Sequence, residues 1–131
     1  MYTLYFDGCS KGNPGPSGTG YVIIYDDDDD KELYFGMEFL GHATNNVAEY
    51  KALIFGLKDA QKNNITQLVV KGDSKLIIKQ VSLQWKCKAE HLKPLLKECL
   101  QLVKQIGKVT FEWIPRSENK RADNLCNLAL L

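Results

Sequence analysis

Two short apolar runs, residues 2–6 and 68–72, each end in an aspartate, Asp7 and Asp73. Runs of this length, rich in aromatic and β-branched residues, read as strands buried in a sheet. A sheet that buries both runs therefore carries two carboxylates at its strand ends. Two further acids stand where folding gives them no evident task. Glu49 opens a series with Leu53, Leu57 and Ala60 at helical spacing, so it points inward with them. Asp123 lies beside a second helical stripe of Ala122, Leu125, Cys126 and Ala129. Carboxylates converging from separate elements repel one another unless a cation neutralises them. Oxygen-only clusters suit Mg²⁺ or Mn²⁺.

The remaining chain fills in around these four. Residues 19–25 and 33–40 read as strands, joined by a hairpin connection over 26–30. Those five aspartates read as solvated charge in a turn rather than a metal site. The Gly- and Pro-rich stretch 9–18 reads as a loop. Asn45 or Asn46 caps a helix to about Gln61, stopped by Asn63 and Asn64. A Val-rich strand over 67–71 and a short helix over 74–83 follow. A long helix then carries the stripe Leu92, Leu95, Leu96, Cys99, Val103 and Ile106, with Pro94 in its first turn and Gly107 as its stop. The last strand runs over 109–114 and the last helix over 119–130. The order βββαβααβα predicts an α/β fold: a mixed five-stranded sheet with helices packed on it, as one domain over residues 1–131.

No apolar run approaches the roughly 18 residues that span a bilayer. No signal peptide is read at the N-terminus. The cysteines Cys9, Cys87, Cys99 and Cys126 show neither a C-x-x-C pair nor zinc spacing, so free thiols in a reducing, cytoplasmic compartment are expected. The net charge of +1 is unevenly spread. Residues 1–70 hold 5 lysines against 10 acids, and residues 71–131 hold 12 Lys/Arg against 6 acids. The basic excess gathers at Lys75, Lys79, Lys86, Lys88, Lys93 and Lys97, a pattern that can follow a phosphate backbone.

Four blocks of the sequence resemble those of type 1 ribonuclease H. They are Asp7-Gly-Cys-Ser-Lys-Gly-Asn-Pro-Gly15, Thr44-Asn-Asn-Val-Ala-Glu49, Gly72-Asp-Ser74, and Trp113-Ile-Pro-Arg-Ser-Glu-Asn-Lys-Arg-Ala-Asp123. They occur in the family's order and span nearly the whole chain. The resemblance implies a ribonuclease H-like fold and an endonuclease that cuts the RNA strand of RNA–DNA hybrids, leaving a 5′ phosphate and a 3′ hydroxyl. It implies two Mg²⁺ ions, with Mn²⁺ as a substitute. Asp7 bridges both ions, Glu49 and Asp73 complete one site, and Asp123 completes the other. One ion activates a water and the other stabilises the leaving oxygen.

Substrate contacts are expected from Gly8, Cys9, Ser10, Gly12 and Asn13, where glycines admit a close backbone and polar groups meet 2′ hydroxyls. Thr44, Asn45, Asn46 and Ser74 add hydrogen-bonding groups at helix N-termini, which favour phosphate. The chain departs from the family's commoner pattern twice. No His stands about ten residues before the last acid, where the family often has one; Arg116 stands seven before Asp123 instead, as in a compact subgroup, and is expected to orient phosphate. His42 and His91 read as structural or surface residues. The basic protrusion of some bacterial members is reduced to residues 83–88, where Trp85, Lys86 and Lys88 are its candidate substitute; Trp85 reads equally as a core anchor. The chain is expected to act as a monomer. The alternatives are a non-catalytic hybrid-binding module and a nuclease of the same fold acting on duplex RNA.

Overall fold

The structure, a computed structural model, describes residues 1–26 and 31–131. The strands are β1 (Tyr2–Ser10), β2 (Gly15–Tyr25), β3 (Lys31–Ala43), β4 (Gln67–Gly72) and β5 (Lys108–Trp113). The helices are α1 (Asn45–Lys62), α2 (Lys75–Val81), α3 (Lys93–Ile106) and α4 (Lys120–Leu128). The βββαβααβα order predicted from sequence is the order observed. The strands form one sheet in the order β3-β2-β1-β4-β5. The first three are antiparallel, and β4 and β5 join parallel to β1. Most of the hairpin connection expected at 26–30 lies outside the described residues.

Burial follows the two-residue alternation of the strands. Leu4, Phe6 and Ile23 point to the face covered by α1, where they meet buried Tyr50, Leu53 and Leu57. Leu102 and Ile106 of α3 extend that core. The opposite face of β1 and β2 belongs to α4. Gly18 and Gly20 make room for it: a Cβ on Gly18 would stand 2.6 Å from the Cys126 carbonyl oxygen, and one on Gly20 would stand 2.6 Å from the Cys126 nitrogen. Arg121 of α4 reaches the edge strand, where its Nε and Nη2 donate to the Glu32 carboxylate at 2.9 Å each.

Several boundaries differ from the sequence reading. The ladder between β1 and β2 continues to the pair Ser10↔Ser17, so the Gly/Pro stretch is mostly strand and only residues 11–14 turn. The Lys11 N–H donates to the Pro16 carbonyl at 2.8 Å, and the Ser17 hydroxyl donates to the Ala43 carbonyl at 3.0 Å. These bonds supply the pairing that composition alone does not reveal. The α1 cap is Thr44, whose hydroxyl accepts from the Val47 N–H at 3.3 Å, rather than Asn45 or Asn46. Ser74 caps α2 in the same way. β3 runs longer than expected at both ends, and α4 is shorter, being preceded by a 3₁₀ turn over Arg116–Glu118.

Candidate active site

The parallel pairing of β1 with β4 ends at Phe6↔Gly72, so the next residue on each strand, Asp7 and Asp73, leaves the sheet at the same end. Glu49 comes to this end from the first turns of α1, and Asp123 from the first turn of α4. Carboxylate oxygens of Asp7, Glu49 and Asp73 lie within 4.8 Å of one another. A second group joins Asp7, Asp123 and Cys126 within the same limit, so Asp7 belongs to both. Asp7 and Glu49 are buried; Asp73 and Asp123 are partly exposed.

The electrostatics are those of crowded acids. Burial, with the charges of Asp73 and Asp123, raises the Asp7 carboxyl from 3.8 to about 7. Burial and then the Asp7 charge push Glu49 well above the usual carboxylate range. Among the described residues, Glu49 Oε2 is buried without a hydrogen-bond partner. Two buried acids and an orphaned oxygen at the end of a sheet form a donor set suited to hard divalent cations.

The cleft around the acids has a volume of about 370 Å³ and is lined by Asp7, Gly8, Cys9, Ser10, Asn45, Asn46, Glu49, Asp73, Ser74, Arg116 and Asp123. The exposed Arg116 guanidinium stands 3.6 Å from Asp123 Oδ1. Asn13 lies outside the cleft lining, and its Oδ1 accepts from the Asn45 N–H at 3.0 Å, joining the β1–β2 turn to the start of α1. Thr44 is engaged as the α1 cap. The glycines also meet needs of the fold. A Cβ on Gly8 would fall on the backbone of Ala48 and Glu49, so its close neighbour is α1. Gly12, with φ of 80°, serves the turn. The Ser10 hydroxyl is likewise turned inward, donating to the Gly12 carbonyl and, at 3.2 Å, to that of Ala43.

Trp85, Lys86 and Lys88 do not join the acids. They are exposed on the segment after α2, and Trp85 and Lys86 line a separate groove with Leu83, Leu96 and Lys97. Trp85 is 47% exposed, which rules out its reading as a core anchor. His42 and His91 are exposed as well.

Two residues with a clear place at the site escape sequence reasoning. Asn119 is buried and its Nδ2 donates to the Phe6 carbonyl at 2.9 Å and to Asp73 Oδ1 at 3.2 Å, fixing one acid against the end of β1. It sits inside the fourth sequence block, where it reads only as a helix start. Trp113 Nε1 donates to the Asp73 carbonyl at 3.1 Å from the end of β5. No local pattern announces either bond, because each joins segments at least 40 residues apart.

A family profile described as reverse transcriptase-like matches residues 5–129. A bifunctional protein, Rv2228c of Mycobacterium tuberculosis, is 43% identical over 124 residues, which are 95% of this chain and 34% of that protein. The chain thus spans about a third of that relative's length. A ribonuclease H of Pseudomonas putida is 35% identical over 136 residues, covering 95% of this chain and 89% of the relative. Among solved structures, LC11-RNase H1 in complex with an RNA/DNA hybrid superposes with a TM-score of 0.92 at 36% identity, covering 99% of this chain and 96% of that one.

Proposed function

Because this chain belongs to the ribonuclease H-like family, we propose that it is a metal-dependent endonuclease hydrolysing the RNA strand of RNA–DNA hybrids. The products are a 5′ phosphate and a 3′ hydroxyl. One observation carries this reading: four acids from β1, α1, β4 and α4 meet in one cleft, with Asp7 common to both ligand groups. A module that only binds nucleic acid gains nothing from clustered negative charge facing phosphates, so the arrangement favours catalysis.

Asp7, Glu49, Asp73 and Asp123 would hold two Mg²⁺ ions, or Mn²⁺ in their place. Bound there, the ions supply charge neutralisation and Lewis acidity at the scissile phosphate. The chain's own groups do the positioning. Asn119 and Trp113 hold Asp73 in place from two sides. Asn45 and Asn46 present the N-terminus of α1 to a phosphate. Arg116 stands in for the family's commoner His and offers a planar pair of N–H donors to a phosphate oxygen. It cannot accept a proton at neutral pH, so it orients rather than acts as a base. Trp85, Lys86 and Lys88 contact the substrate away from the cut, where stacking and phosphate contacts read no sequence.

The deciding experiment labels one strand and presents it as a hybrid, as duplex RNA, as duplex DNA and as a single strand, with and without Mg²⁺. Cleavage of RNA only in the hybrid, and only with metal, is the expected result. Equal cleavage of duplex RNA would replace the hybrid reading by a duplex ribonuclease.

A further inference from the structure

Cys126 has no part in the proposed reaction, yet its sulfur is placed as a ligand. It follows Asp123 by three residues on α4, so both face the same way. Its fully buried thiol donates to Asp7 Oδ2 at 3.7 Å and to the Asp123 carbonyl at 3.2 Å. Cys9 on β1 lines the cleft, and its thiol donates to the Gly18 carbonyl at 3.8 Å. One sulfur and two carboxylates make a mixed donor set quite unlike the all-oxygen group of Asp7, Glu49 and Asp73. The orphaned, buried Oε2 of Glu49 belongs to that all-oxygen group, which shares Asp7 with the sulfur-containing one.

We propose that Asp7, Asp123 and Cys126 form a site for a thiophilic divalent ion such as Zn²⁺, and that this ion excludes Mg²⁺. The geometry matches. Zinc at about 2.3 Å from sulfur and about 2.0–2.2 Å from oxygen, with tetrahedral angles, holds the two ligand atoms about 3.6 Å apart. The Cys126 sulfur and Asp7 Oδ2 already stand 3.7 Å apart, bridged by the thiol proton. Exchanging that proton for the ion leaves both side chains nearly where they are. Mg²⁺ gains nothing from sulfur, whereas thiolate selects Zn²⁺ strongly. The two ions compete because both need Asp7 and Asp123.

Binding is tested without reference to activity by titrating the chain with Co²⁺, whose thiolate complexes have a charge-transfer band in the near ultraviolet. The band should saturate at one ion per chain, bleach on addition of Zn²⁺, and disappear in both Cys126→Ser and Cys126→Ala. It should persist in Cys87→Ala, since Cys87 lies between α2 and α3. Asp123→Asn should weaken Co²⁺ at least tenfold while leaving the thiols in place. Circular dichroism accompanies each variant, and the Asp123→Asn result decides the matter if the cysteine variants do not fold. A band that survives removal of Cys126, that depends on Cys87, or that never forms in the native chain overturns the site. The exclusion of Mg²⁺ rests on the proposed hybrid cleavage. There, Cys126→Ser should raise the Zn²⁺ concentration for half-inhibition at least tenfold, and unchanged inhibition would refute the competition. A chain that cleaves no hybrid at all would defeat the functional reading alone, with the Co²⁺ band still deciding the site.

Discussion

At the scale of single residues, Asp7 is the most constrained side chain of the acid cleft. Its carboxyl is raised from 3.8 to about 7, so the folded, metal-free chain holds a proton there that the unfolded chain releases. That contribution to stability is complete below about pH 4 and is lost as pH rises through about 7. The loss amounts to at most about 4 kcal/mol, since a tenfold change in proton affinity is worth about 1.4 kcal/mol. Urea unfolding in the presence of a chelator should therefore show stability falling between pH 4 and pH 7. Asp7→Asn should flatten that slope, stabilise the chain at pH 8, and abolish cleavage. A native-like slope in the variant would place the proton elsewhere. Arg116→Ala should lower turnover and leave both stability and Mg²⁺ affinity nearly unchanged, because an exposed pair such as Arg116 with Asp123 is worth no more than about 1 kcal/mol. Steady-state kinetics beside a Mg²⁺ titration separates the two effects. Lys at this position should rescue only in part, lacking the planar fork.

At the scale of elements, α4 is what the site depends on most. It packs on β1 and β2 over two glycines and carries Asp123 and Cys126 on one face. Gly18→Ala should force the helix outward, costing about 1–3 kcal/mol as overpacking does. It should depress cleavage by more than that loss of stability explains, because Asp123 moves with the helix. Thermal melts and rate measurements on the same preparation test this. The elements themselves are legible in sequence wherever the pattern is periodic. The stripes of α1 and α3, Gly107 as a stop, and the two strands ending in Asp7 and Asp73 all follow from spacing. The hairpin between β1 and β2 is not legible, because Gly and Pro dominate its composition while its pairing rests on bonds such as Lys11 to Pro16. That Gly8 also makes room for α1 is not legible, because nothing local says which backbone a glycine admits. Asn119 and Trp113 stay hidden for a related reason: their partner, Asp73, is distant in the chain.

At the scale of the whole molecule, charge is divided by position in the chain, with an acidic first half and a basic second half. Lys86 and Lys88 are exposed and outside the acid cleft, so neutralising both should weaken hybrid binding more than it slows cleavage of bound substrate. The slope of log K against log[salt] should shrink by about one for each phosphate that is no longer neutralised. An unchanged slope would assign these lysines to solvent.

The register of β1 gives the molecule a built-in vernier. Asp7 faces α4 because it stands opposite Gly20 on one side and one step beyond the Phe6↔Gly72 pair on the other. Side chains alternate faces, so a slip of one residue along either neighbour would exchange Asp7 for Phe6 or Gly8. Phenylalanine would then meet the acids, and a carboxylate would enter the apolar layer beneath α1. No sheet with such a slip can assemble the cleft, whatever its helix content. Catalytic recovery after denaturation thereby reads strand alignment directly, where circular dichroism reports only that strands have formed.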